Sequence, residues 1–159
     1  MTNPARKPDQ DGARSAIRDI IVEDVLPHPL ERVWQALTAA ELVGRWLMPS
    51  DFEPVVGKRF TFTTRPMGTW DGVVQCEVLE VVPLRRLVYS WAGGSDDNAK
   101  YGTRLDSVVT WTLQPEGNGT RLRMVHSGFR SPGNDFAYGA MNSGWQRIVG
   151  KISEIVAAL

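Results

Sequence analysis

The sequence holds one cysteine and two histidines in 159 residues, so it can form no intrachain disulfide. Those three residues, His28, Cys76 and His126, form no local ligand pair, whereas a structural zinc takes four Cys or His donors. No metal is expected. An excess of charge is also missing: 18 basic residues face 18 acidic ones, which offers no general attraction to phosphate backbones or anionic lipid. Nucleic acid is therefore not expected as a partner. Apolar runs are all far shorter than a bilayer span, so no membrane insertion is expected either. Nucleophile motifs are absent, since Ser95 and Ser127 lie outside any G-x-S-x-G string. Gly117-Asn118-Gly119 lacks the third glycine of a dinucleotide loop, and no cofactor is expected.

Met1 to Ala13 carries Pro4, Pro8 and Gly12 among charges of both signs and no apolar secretory stretch. It reads as a disordered tail on a cytoplasmic protein, leaving one folded domain over residues 14–159. A first strand is expected over Arg14–Leu26, where Ile and Val alternate imperfectly with charges. Pro29 can open a helix without losing a needed N–H, and Leu30, Val33, Trp34 and Leu37 follow at helical spacing. A second short helix, Ala39–Leu47, puts Leu42, Val43, Trp46 and Leu47 on one side and is stopped by Pro49.

From Gly57 the apolar period changes to two, with turn residues between segments, which predicts an antiparallel meander of five more strands. These span Lys58–Arg65, Trp70–Val82, Leu84–Ala92, Arg104–Gln114 and Thr120–Ser127, with Asn118-Gly119 as the last hairpin turn. A long helix should start near Asp135, with Ala137, Met141, Trp145, Ile148, Ile152, Ile155 or Val156, and Leu159 as its apolar stripe. That stripe should cover the concave side of the sheet.

In this order of elements sit VWQALT from Val33, RWLMP from Arg45, LRRLVYSW from Leu84, MVHSGF from Met124 and SGWQRIV from Ser143. Together they resemble the START-like (SRPBCC) superfamily, and within it the activator of heat shock protein 90 ATPase homologue branch. The resemblance covers nearly all of Ile17–Leu159. It implies an α+β helix-grip fold: a six-stranded curved antiparallel sheet, two short helices and a long C-terminal helix around a cavity. Superfamily members include lipid carriers, polyketide cyclases and receptors, so the fold leaves activity open.

The expected function is to bind a small apolar or aromatic ligand between sheet and helix. Phe60, Phe62, Trp91, Trp111, Met141 and Trp145 are the expected walls, and Tyr89 and His126 the polar contacts. The alternatives are a polyketide cyclase-like enzyme with His126 as acid or base, aided by Asp71 or Glu77, and an interaction module making a chaperone contact. A homodimer is also left open. His126 could instead satisfy a neighbouring polar group. Trp34 and Trp46 read as core anchors, Trp70 as a rim or turn residue, and Cys76 as a buried apolar group beside Val74 and Val78. Ser95–Asn98 is either a lid or a plain loop. Gly144, disfavoured inside a helix, should either leave room for ligand or allow close approach to the sheet.

Overall fold

The computed structural model describes residues 16–159. The expected tail, residues 1–13, and the first two residues of the expected opening strand lie outside the described residues. The elements are β1 (Ile17–Leu26), α1 (Leu30–Thr38), α2 (Ala40–Trp46), β2 (Arg59–Thr63), β3 (Val73–Val82), β4 (Arg86–Gly93), β5 (Leu105–Glu116), β6 (Gly119–Arg130) and α3 (Asp135–Ala157). The six strands form one antiparallel sheet in the order β1-β6-β5-β4-β3-β2. No helix among the described residues is long and apolar enough to cross a membrane.

Alternation decides which side of this sheet is buried. Leu105, Ser107, Val109, Trp111 and Leu113 of β5 all point inward and are buried. Pairing carries the same face across the sheet: Tyr89, Val109, His126 and Ile20 form one row, and Leu87, Trp111, Met124 and Val22 the next. Helix α3 covers that face, packing on α1, α2, β1 and β6. Its buried residues are Ala137, Trp145, Val149, Ile152 and Val156. Val149 therefore takes the place expected of Ile148, which is half-buried, and Leu159 is exposed. The 3.6-residue period explains the shift, because a residue four after Trp145 stays closer to its direction than one three after it.

One turn and one strand end differ from the sequence reading. The last hairpin closes on Gly117-Asn118, since Glu116 pairs with Gly119, and Gly117 takes φ 57° as the first loop residue of a type II′ turn does. Gly119 has a different reason to be glycine: a Cβ there would run into the Leu26 carbonyl. Strand β6 also continues past Ser127 through a register shift opposite Arg18 and Asp19, which returns Phe129 to the buried side.

Candidate functional site

His126 is fully buried on β6, and three hydrogen bonds determine its proton inventory. The Trp145 indole N–H donates to its Nδ1 at 3.0 Å. An indole nitrogen can only donate, so Nδ1 is unprotonated and Nε2 carries the hydrogen. That hydrogen faces the Ser107 Oγ at 2.8 Å, and the Ser107 hydroxyl in turn donates to the Trp91 carbonyl at 2.7 Å. Burial pushes the His126 pKa down to about 3. Protonation would also set a second donor against Trp145. The imidazole is thus neutral and fully paired, which is the polar-satisfaction role.

Neither carboxylate expected to assist it comes near. Asp71 is exposed and caps its own turn by accepting from the Val73 N–H at 3.0 Å. Glu77 alternates with the buried Cys76 and Val78 on β3, faces outward, and lies 3.7 Å from Arg59. Among the described residues, no three of His, Cys, Asp or Glu come together as a metal site. Burial pushes up both the Cys76 thiol and the Tyr89 hydroxyl, and Tyr89 accepts the Trp111 indole N–H at 3.0 Å.

The aromatic residues fill most of the space between α3 and the sheet. Phe60 packs edge-on to Phe62 and Tyr89 at 5.5 and 5.4 Å, Trp111 lies 5.5 Å from Trp46, and Trp145 lies 5.8 Å from both Trp91 and Trp111. Trp46 is a core anchor, with its N–H on the Ala36 carbonyl at 2.8 Å, while Trp34 is half-buried at the core's edge. Trp70 sits in its turn with its N–H on the Val73 carbonyl at 3.1 Å.

Among the described residues, a cleft of about 250 Å³ opens where the first half of α3 meets the end of α2 and the β2–β3 loop; larger hollows of about 330–400 Å³ lie elsewhere, lined mostly by polar and outward-facing strand and loop residues such as Ser90, Asp106, Gln114 and Arg123. Trp91, Met141, Gly144 and Trp145 line the cleft, together with Leu47, Met48, Thr64, Met67, Tyr101, Ala140, Arg147 and Ile148. Phe60, Phe62, Tyr89, Trp111 and His126 lie outside this lining, within the packed core. A narrower recess of about 20 Å³ borders it, sharing Trp91, Tyr101 and Met141. Gly144 does not meet the sheet: a Cβ there would touch only the Arg147 Nη2, at 3.9 Å. The Ser95–Asn98 loop is tied down, as Asn98 Nδ2 donates to the Met67 carbonyl at 3.0 Å and Asp96 pairs with Arg104 at 2.7 Å.

Sequence reasoning passed over Met67, Tyr101 and Arg147. A methionine inside a Pro-Gly turn and a tyrosine inside a polar loop were the available signals, because both sit apolar surface where turn chemistry asks for none. Burial raises the pKa of the Tyr101 hydroxyl, which keeps it protonated.

Comparisons with known proteins agree with this architecture. The sequence model described as "Activator of Hsp90 ATPase homolog 1-like protein" matches residues 27–157. Protein MLL2253 from Mesorhizobium loti is similar at 42% identity and TM-score 0.78, over 89% of this chain and 98% of its own. The Aha1 dimer from Colwellia psychrerythraea has TM-score 0.68 at 18% identity, over 87% of this chain and 96% of its own. DynU16, a protein of the dynemicin biosynthetic locus, has TM-score 0.67 at 24% identity, over 87% of this chain and 47% of its own. At those two identities the likeness is one of fold. Curated proteins supply no match.

Proposed function

The chain belongs to the Activator of Hsp90 ATPase homolog 1-like family, and on that premise we propose that it is a binding protein for a small apolar or aromatic molecule. The ligand would occupy the cleft beside Gly144. The observation that carries this reading is the cleft itself: about 250 Å³ of open space, walled by Leu47, Met48, Trp91, Met141, Trp145 and Ile148 at the edge of the hydrophobic core. Apolar walls with a few polar groups are what small-molecule sites are made of. Proton transfer by His126 is not part of this reading, because its two ring nitrogens are engaged by Trp145 and Ser107.

Gly144→Leu tests it. The added side chain would meet only the end of the Arg147 side chain, so the variant should fold and should at the same time occupy the ligand's place. Titration with the neutral dye Nile red should saturate on the parent protein and fail on the variant, while thermal unfolding stays within a few degrees. Equal dye binding by both would remove the cleft as the binding site. Native mass spectrometry of the purified protein adds a direct readout, as mass released on unfolding would identify a retained ligand.

A further inference from the structure

The cleft has a polar inventory that selects among apolar ligands. Four buried tryptophans spend their indole N–H on a protein acceptor: Trp46 on Ala36, Trp70 on Val73, Trp111 on Tyr89 and Trp145 on His126. Trp91, only 4% exposed, has no such acceptor among the described residues. Among the described residues the one buried side-chain polar atom sealed off without a partner is Arg18 Nε and not the Trp91 N–H, which therefore keeps access to open space. The open space that Trp91 borders is the cleft and its adjoining recess. A donor that opens on a cleft and has no protein acceptor is free to bond an acceptor there, water or ligand.

The other polar side chains around this space point the same way. Arg147 is the one charged residue of the lining, and it has no acidic partner within salt-bridge distance among the described residues. Thr64, Tyr101 and Thr103 contribute hydroxyls, and no carboxylate or amide side chain lines either space. An ammonium ligand would find no charged acceptor there and would meet a guanidinium. A carboxylate would find an unspent N–H in the wall and a compensating charge.

Building on the cleft reading above, we propose that the ligand is an aromatic or alkyl carboxylate, its body among Met48, Met67, Met141 and Trp145, an oxygen accepting the Trp91 indole N–H, and its charge compensated by Arg147. The chemistry is that of non-covalent binding, with no bond made or broken.

Competition against Nile red with four ligands on one ring system tests this: 2-naphthoate, 2-naphthamide, 2-methylnaphthalene and 2-naphthylmethylammonium. The parent should bind the carboxylate best and the ammonium worst. Arg147→Gln, at an exposed position, should narrow the gap between carboxylate and amide by about 2- to 5-fold, the range of a solvent-screened charge pair. Trp91→Phe also trims the wall, so methylnaphthalene is the reference: relative to it, the carboxylate and the amide should weaken by about a further 2- to 12-fold, the range of one net hydrogen bond. If methylnaphthalene binds but the ammonium competes as well as the carboxylate, or both preferences survive in both variants, the carboxylate assignment is wrong and the apolar cleft stands. If neither Nile red nor any naphthalene binds the parent, the cleft reading and the carboxylate assignment fall together.

Discussion

At the scale of single residues, His126 separates what a histidine can do from what this one does. Its folded pKa of about 3 lies below the ordinary 6.5 because burial disfavours the charged ring. Below pH 6.5 the unfolded chain therefore takes up a proton that the folded chain refuses, and stability falls as the pH drops from there towards 3. Within that window the loss is about 1.4 kcal/mol per pH unit. Urea midpoints between pH 7.5 and 4.5 should fall more steeply for the parent than for His126→Gln; parallel curves would show that the imidazole is charged in the fold. His126→Ala should cost stability by leaving the Trp145 N–H without its acceptor, by about 1–3 kcal/mol, yet leave Nile red binding intact. A selective loss of dye binding in that variant would bring the histidine back to the ligand. Gly144→Ala should raise stability by up to about 1 kcal/mol, since its Cβ meets nothing closer than 3.9 Å and alanine is the better helix former.

At the scale of elements, local patterning was legible and turn detail less so. The inward face of β5 follows strict alternation as far as Leu113 and that of β6 as far as His126, and the sequence alone placed Trp111 and His126 on them. The β3–β4 turn shows the opposite. Pro83 precedes Leu84 at φ 66°, with Arg85 N–H donating to the Val82 carbonyl at 2.9 Å, a position where glycine is normally preferred. Leucine pays about 1–2 kcal/mol for the left-handed conformation, against about 0.5–1 kcal/mol that glycine loses in chain entropy. Leu84→Gly should consequently raise the melting temperature slightly; a fall would mean that the half-buried leucine side chain contributes more than its backbone costs. Helix α3 supplies a harsher test. Removing residues 148–159 takes away Val149, Ile152 and Val156, all buried, and should abolish cooperative unfolding by circular dichroism.

At the scale of the whole molecule, stability comes from the apolar core and little from charge. Every ion pair found among the described residues joins side chains that are at least a third exposed on both partners. Such pairs contribute about 0–1 kcal/mol each and are screened by salt. The melting temperature should therefore change by only a few degrees between 50 mM and 1 M sodium chloride. A large drop would reveal an electrostatic network that these geometries do not contain.

The order of elements, the buried faces and the family resemblance were written in the sequence because they depend on neighbours two to four residues apart. Period two and period 3.6 are local, and they carried Trp91, Trp111 and Trp145 to the right side of their elements, while the imperfect alternation of β1 left the inward place of Ile20 to the sheet pairing. The site depends on distances between residues far apart in the chain. Ser107 and Trp145 each reach His126 from 19 positions away, and Trp111 reaches Tyr89 from 22. Whether an aromatic side chain fills the space under a helix or walls an opening depends on how its volume compares with the gap that sheet and helix leave. Only the packed structure decides that, and here it closes the space around Phe60, Phe62 and Trp111 and leaves it open beside Gly144.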